Sequence, residues 1–121
     1  MFQAQDWPEL AKALSADLRE LRLGAHEVMK AFGTLATTAS AGNALDAKTK
    51  ELMALAIAVS ARCDDCIAFH VKAAPDRGAT SDEIMETLGV AIYMGGGPAV
   101  MYASHALAAY PQFSAAAKAA G

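Results

Sequence analysis

Three features of the sequence predict an all-α fold. Apolar residues recur every three or four positions along most of the chain, which is the period of an α-helix. Alternation of apolar and polar residues, which marks a half-buried strand, never lasts more than a few positions. Alanine is abundant and only 4 of the 121 residues are proline, a composition that favours helix. With 55% hydrophobic residues, we expect a single domain spanning residues 1–121.

The first two predicted helices are amphipathic. Asp6 can cap the first helix while Glu9 reaches back to it, a variant of the capping box, and Gly24 ends this helix. Its apolar stripe is formed by Leu10, Leu14, Leu18 and Leu21. The second helix carries its apolar residues at Val28, Met29, Phe32, Leu35 and Ala36 and is followed by the loop ASAGNAL.

The third and fourth helices flank the cysteine-containing segment. Asp46 is the expected N-cap of the third helix, which is apolar on every face over residues 52–59 and is therefore predicted to be central and fully buried. The fourth helix is expected to begin near Cys63. It should end by Ala74, because Pro75 disfavours a helical conformation in the residue before it.

Two further helices complete a predicted bundle of six. Thr80 and Glu83 form a capping box for the fifth helix, which should extend to about Met94. A turn over residues 95–98 leads into the sixth helix, which is expected to end near Pro111. The tail SAAAKAAG is expected to be frayed helix or disordered.

Charge and hydropathy exclude several classes of function. The formal net charge is −3 and lysine and arginine are not clustered, so we expect neither nucleic acid nor a membrane surface as a partner. The first ten residues lack the basic and apolar segments of a signal peptide. The uncharged run over residues 88–109 is broken by Gly-Gly-Gly-Pro, which argues against a membrane span. The expected location is the cytoplasm, where a close cysteine pair is more often catalytic or metal-binding than structural.

The segment ARCDDCIAFH contains both cysteines of the chain. In a helix, Cys63, Cys66 and His70 lie at i, i+3 and i+7 and share one face. The helix N-terminus stabilises a thiolate, and His70 is one turn beyond Cys66, close enough to exchange a proton with it directly or through a water. Asp64 and Asp65 favour a helix N-terminus electrostatically. Their negative charge also raises the pKa of a nearby thiol and so opposes the effect of the dipole on that thiol.

Glu51 lies at the start of the apolar third helix and is a further candidate. If the third and fourth helices pack antiparallel, its carboxylate could meet the cysteine–histidine face and act as a base or proton store. One alternative is that Glu51 reaches solvent. A separate alternative is that the two thiols are buried groups that serve only packing. Zinc is another alternative, although three ligands on one helix converge poorly on a tetrahedral centre. We expect His26 at the surface and keep His105 as a secondary candidate that could face the site from the last helix.

Together, Glu51, Cys63, Cys66 and His70 form the pattern E-x11-C-x2-C-x3-H. This pattern resembles the signature of the alkylhydroperoxidase D-like proteins, which belong to the carboxymuconolactone decarboxylase family. The resemblance covers about residues 44–109 and includes the helices on either side of the motif.

The resemblance implies a helical subunit that assembles into trimers or hexamers through apolar helix faces. It also implies a thiol-dependent peroxidase, of the peroxiredoxin type, acting on hydrogen peroxide or organic hydroperoxides with no cofactor or metal. Cys66 would attack the peroxide and become a sulfenic acid, Cys63 would resolve it to a disulfide, and His70 and Glu51 would relay protons. A dithiol partner, lipoyl-bearing or thioredoxin-like, would regenerate the thiols. The helix dipole alone favours Cys63 as the attacking thiol, whereas proximity to His70 favours Cys66.

Two positions depart from the family pattern. Asp65 stands where the peroxidase prototype has a histidine that joins the proton relay, and Pro75 predicts a shortened fourth helix. Two other functions remain open: a metal-binding or redox-sensing module without turnover, and a decarboxylase-like lyase in which the cysteines are incidental. The decarboxylase branch of the family lacks the cysteine pair, so the pair favours the redox branch.

Overall fold

The computed structural model describes residues 4–120, which fold into six α-helices without a β-strand in that range. The ends of the chain considered above, residues 1–3 and 121, lie outside the described part. The predicted all-α class is confirmed. The helices are α1 (Trp7–Gly24), α2 (His26–Ser40), α3 (Ala47–Ser60), α4 (Asp64–Asp76), α5 (Ser81–Gly95) and α6 (Gly97–Ala120).

Three helix starts use the predicted capping side chains. Asp6 accepts a hydrogen bond from the Glu9 N–H, and Asp46 accepts one from the Thr49 N–H. Thr80 and Glu83 form a complete capping box, in which each side chain accepts from the other residue's backbone N–H. Each cap satisfies an N–H group that the helix itself cannot bond, which fixes where the helix begins.

The core lies where α3 and α4 pack against each other and against α1, α5 and α6. Its largest fully buried side chains are Leu55, Val59, Ile67 and Val71. The prediction that α3 is buried on every face was wrong, because Met53 is 47% and Ile57 is 65% exposed. Hydrophobic residues all round a helix predict burial, but a single chain has only enough neighbouring helices to cover part of this one.

Two helices continue through prolines at which the sequence predicted their ends. Helix α4 extends to Asp76 and includes Pro75, so the prediction that this helix ends by Ala74 was wrong. Because Pro75 lies in the last turn, it removes one backbone hydrogen bond while Arg77 N–H still bonds to the carbonyls of Ala73 and Ala74. Gly78, at φ +91°, then ends the turn in a conformation that suits glycine.

Helix α6 continues through Pro111 to Ala120, so the predicted end of this helix near Pro111 was also wrong. Of the two alternatives for the tail SAAAKAAG, helix and not disorder is observed as far as Ala120, and the last residue lies outside the described part. Residues beyond the proline are held by tertiary contacts. Phe113 is buried in the core, and the Gln112 side chain accepts a hydrogen bond of 2.8 Å from the Trp7 N–H. Burying an aromatic side chain contributes about 1.5–3 kcal/mol, which offsets most of the cost of a proline inside a helix.

No helix in residues 4–120 combines the length and the apolar character that crossing a bilayer requires.

We expect part of the fold's stability to depend on pH through Glu83. Its pKa is held below the ordinary value by hydrogen bonds, first from Lys48 and then from the Thr80 N–H. Because folding lowers this pKa, the stabilisation is present at neutral pH and is lost as the pH falls through the folded-state value. In urea unfolding, Glu83→Gln should therefore be less stable than wild type at pH 7, and the difference should shrink in acid. Glu86→Gln, on the same helix, is the control, and an equal loss in the two variants at pH 7 would contradict this assignment.

Candidate active site

The cysteine pair lies at the N-terminus of α4. Arg62, at φ +59°, turns the chain out of α3, and the Cys63 N–H bonds to the Ala58 carbonyl at 3.0 Å. Cys63 is the N-cap of α4 and forms a disulfide with Cys66. The Cys66 N–H donates to the Cys63 Sγ at 3.2 Å, so sulfur occupies the place that an oxygen has in most N-caps.

This placement confirms that the first cysteine stands at the start of the helix. The N-terminal N–H groups and the helix dipole favour negative charge there, so they stabilise a thiolate on Cys63 when the disulfide is opened. Both cysteine side chains are only partly buried. The pair combines a structural setting that favours thiolate chemistry with access from solvent.

Glu51 and His70 form the second part of the site. Helices α3 and α4 pack side by side, and Glu51 Oε1 contacts His70 Nδ1 directly. The Glu51 side chain is 10% exposed and the His70 side chain 35%, so the carboxylate lies inside and the ring reaches outward. The prediction that these two residues meet across the helix pair is correct in geometry, and Glu51 does not take the alternative, solvent-exposed position.

The Glu51 contact fixes which nitrogen of His70 can serve the thiols. A carboxylate at Nδ1 orients the imidazole ring and leaves Nε2 for proton exchange with a thiol or a water. Helix α4 is continuous from Asp64 to Asp76, so His70 stands one turn beyond Cys66 on this rigid element. The arrangement can therefore move protons between a buried carboxylate, an imidazole and a sulfur.

A second histidine–carboxylate pair borders the cysteines and was not predicted. His105 of α6 lies with its Nδ1 2.7 Å from Asp64 Oδ1, in the first turn of α4. The His105 ring also packs near Trp7 and Tyr102, with ring centroids 6.0 and 5.0 Å away. The secondary candidate His105 thus reaches the start of α4, but its partner is separated from it by 41 residues and no local pattern links the two.

The remaining polar candidates lie outside this arrangement. Asp65, between the cysteines, is exposed to solvent. His26 is exposed on α2, as predicted, and its Nδ1 lies 3.2 Å from Oε1 of the neighbouring Glu27. Within residues 4–120, histidine, cysteine and carboxylate side chains form no group of three or more that could hold a metal ion.

A cavity of the described chain lies away from the cysteine pair. It has a volume of about 880 Å³ and is bounded by α1, the end of α4 and the last turns of α6. Four basic residues, Lys12, Arg19, Lys72 and Lys118, are among its lining residues. None of the four residues of the sequence motif lines it. The cysteine pair at the α4 N-terminus therefore lies outside this cavity.

Comparison with known proteins identifies relatives over most of the chain. Residues 26–109 match the carboxymuconolactone decarboxylase family. An uncharacterised protein of Cupriavidus necator is 44% identical over 87 residues, which cover 72% of this chain and 77% of the relative.

Two solved structures are similar to this fold. A carboxymuconolactone decarboxylase family protein from Legionella pneumophila, solved in its apo form, is 43% identical and superposes with a TM-score of 0.88, covering 92% of this chain and 99% of its own. A family member from Thermotoga maritima, for which involvement in an antioxidative response has been suggested, is 33% identical with a TM-score of 0.69. That match covers 74% of this chain and 93% of the Thermotoga chain.

Proposed function

Because this chain belongs to the carboxymuconolactone decarboxylase family, we propose that it is a thiol-dependent peroxidase that reduces hydrogen peroxide or organic hydroperoxides. One observation carries the proposal: the redox-capable pair Cys63–Cys66 lies at a helix N-terminus on the same helix as His70, whose ring is held by the buried Glu51. The antioxidative role suggested for the Thermotoga relative supports the same assignment.

In the proposed oxidative step, the Cys66 thiolate attacks the terminal oxygen of the hydroperoxide. The O–O bond breaks, an S–O bond forms, and the alkoxide takes a proton to leave as an alcohol, or as water when the substrate is hydrogen peroxide. His70 takes the thiol proton beforehand and returns it to the leaving oxygen, while Glu51 stabilises the charged ring. Cys66 has then lost two electrons and is a sulfenic acid.

In the next step, the Cys63 thiol attacks the Cys66 sulfenic acid, which releases water and closes the disulfide. A dithiol reductant then attacks the Cys66 sulfur, and Cys63 leaves as a thiolate. The hydrogen bond from the Cys66 N–H to Cys63 Sγ stabilises this leaving group. The second thiol of the reductant displaces Cys66, and the reductant carries away the disulfide. We propose a cytoplasmic dithiol protein, lipoyl-bearing or thioredoxin-like, as this partner.

Thiol counting tests the proposal directly. Reduced protein should have two reactive thiols and, after one equivalent of cumene hydroperoxide, none, with one cumyl alcohol formed per chain. Adding dihydrolipoamide should restore both thiols and permit repeated turnover. Retention of both thiols would contradict the peroxidase proposal, and a single oxidation without turnover would favour a redox sensor.

Metal analysis of the same protein separates the remaining alternative. A peroxidase of this type has both thiols free in its reduced state and needs no bound zinc. Stoichiometric zinc that is lost in Cys63→Ser would favour a metal-binding module, because thiolates are ligands that zinc prefers.

We also propose that the chain assembles into a trimer or hexamer, with α2 in the interface. Val28, Phe32 and Leu35 are 61–70% exposed on one face of α2, and none of the residues of this helix is buried in the single chain. A continuous apolar face of this kind is typical of a surface covered by another subunit.

A charge placed in this face should disrupt assembly. In sedimentation velocity experiments, wild type should sediment as a trimer or hexamer, and Phe32→Asp should shift most of the protein to smaller species. Thr34→Asp introduces the same charge on another side of α2 and is the matched control. A monomeric wild type, or equal behaviour of the two variants, would overturn this proposal.

A further inference from the structure

The pair formed by Asp64 and His105 joins two helices beside the cysteines and has no part in the proton relay described above. Their side chains are 43% and 39% exposed, and their hydrogen-bonding atoms are 2.7 Å apart. The His105 ring is flanked by the buried Trp7 and by Tyr102, so it is held in place from α1 as well as from its own helix. The contact is thus built by three helices.

The position of Asp64 creates an electrostatic conflict. A carboxylate in the first turn of a helix can accept hydrogen bonds from the free N–H groups of that turn. Here one of these groups, the Cys66 N–H, donates its hydrogen bond to the Cys63 sulfur. An unrestrained Asp64 would compete for these donors, and its charge would disfavour a thiolate on the adjacent Cys63. A hydrogen-bond partner that engages the Asp64 carboxylate leaves the N–H groups of the first turn to the sulfur.

We propose that His105 is a positioning residue for the thiol chemistry: by binding the Asp64 carboxylate, it keeps the N-terminus of α4 available to the Cys63 thiolate. This inference rests on the proposed function, in which Cys63 leaves as a thiolate when the dithiol reductant opens the disulfide. His105 itself neither touches the sulfur nor transfers a proton to it.

The other charged groups near this end of α4 are in different situations. Asp65 is exposed to solvent, and Arg62 lies before the cap, also exposed. Glu51 and His70 are engaged with each other. On the His105 side, Tyr102 is a titratable neighbour, and Trp7 contributes an uncharged ring. Asp64 is therefore the carboxylate whose effect on Cys63 depends on His105.

The experiment measures the pKa of the Cys63 thiol from thiolate absorbance, in a Cys66→Ser background that leaves one titrating sulfur. His105→Leu should raise this pKa by about one unit, because the freed carboxylate competes for the helix donors and repels the thiolate. Adding Asp64→Asn to His105→Leu should reverse the rise. His105→Gln, which retains a neutral donor, should recover part of it and provides a second variant if leucine impairs folding.

His26→Leu is the matched control, because His26 also pairs with a neighbouring carboxylate but lies on α2. A purely structural role for His105 predicts that Asp64→Asn brings no recovery. Equal thiol pKa values in His105→Leu with and without Asp64→Asn, or no rise in His105→Leu and His105→Gln, would overturn the inference. Because no peroxide is used, these outcomes do not depend on whether the protein proves to be a peroxidase.

Discussion

Replacing Cys66 by serine is expected to slow the reaction with hydroperoxide by at least about 10³-fold, as removal of a nucleophile does in other enzymes. Cys63→Ser should instead react at a rate close to that of wild type and stop at the sulfenic acid. The asymmetry follows from the assigned roles, since one sulfur attacks the peroxide and the other attacks the product. The two variants are matched, because each removes one of the only two thiols in the chain.

The structure also contains a reason to expect the opposite roles, with Cys63 as the attacking thiol, so the experiment discriminates between two physical arguments. Cys63 is the N-cap of α4 and accepts the Cys66 N–H, so the helix terminus stabilises a thiolate on Cys63. Cys66 lacks this cap position but stands one turn before His70, which can take its proton. We give proton transfer the greater weight for peroxide attack, and we assign the helix terminus to the leaving-group role of Cys63 in reduction.

The measurement is stopped-flow oxidation of each reduced variant, followed by trapping with dimedone and mass spectrometry. We expect a dimedone adduct on Cys66 in Cys63→Ser and negligible adduct in Cys66→Ser. Rapid oxidation of Cys66→Ser with an adduct on Cys63 would exchange the two roles. Equal oxidation rates in the two variants would contradict the roles assigned to Cys66 and to Cys63.

Much of the fold could be predicted because it depends on local chemistry. The caps Asp6, Asp46 and Thr80 mark three helix starts with side chains that bond the first free N–H groups. These bonds span three residues, so a short stretch of sequence contains all the information that they need. The same locality explains why the cysteine pair was correctly placed at the start of α4.

The errors arose where tertiary packing outweighed local preference. Pro75 and Pro111 predicted helix ends. Pro75 removes only one backbone hydrogen bond, because it lies in the last turn of α4. Pro111 is followed at once by residues that are anchored to α1 and the core. Gln112 accepts a hydrogen bond from Trp7, which lies 105 positions earlier in the chain, and Phe113 packs in the hydrophobic core. Helix propensity is a weak prior that such contacts override.

The candidate site likewise has one part that the sequence predicts and one part that depends on tertiary packing. The four residues of the motif share a spacing that a sequence can display, and the packing of α3 on α4 brings Glu51 to His70. The contact between Asp64 and His105 has no such spacing, because it depends on how α6 crosses the start of α4. From the sequence, Asp64 could be recognised only as a charge that opposes thiolate formation. Its contact with His105 could be identified only in the folded structure.

Replacing Glu51 by glutamine is expected to lower the rate of peroxide reduction by about 10²-fold at neutral pH, at the lower end of what general acid–base catalysis contributes. Glutamine has nearly the same shape, so it can fill the buried position and still contact the His70 ring. It cannot carry the negative charge that stabilises a protonated imidazole. The loss should therefore appear in proton transfer from Cys66 and leave binding of the hydroperoxide largely unchanged.

The pH profile separates this role from a structural one. As the pH rises and the Cys66 thiol ionises without help, a base becomes unnecessary for the attack, so the rates of Glu51→Gln and wild type should converge. A variant that had merely lost packing would remain slower at every pH. Glu86→Gln makes the same chemical change at an exposed position on α5 and should match wild type throughout.

Coupling between Glu51 and His70 provides the final discriminating measurement. Two residues that act as one unit give losses that do not add, because removing either partner already disables the other. We expect the Glu51→Gln/His70→Asn double variant to be about as slow as the slower single variant. Additive losses would mean that Glu51 and His70 act independently, and the direct contact between them would then serve to hold α3 against α4 and not to move protons.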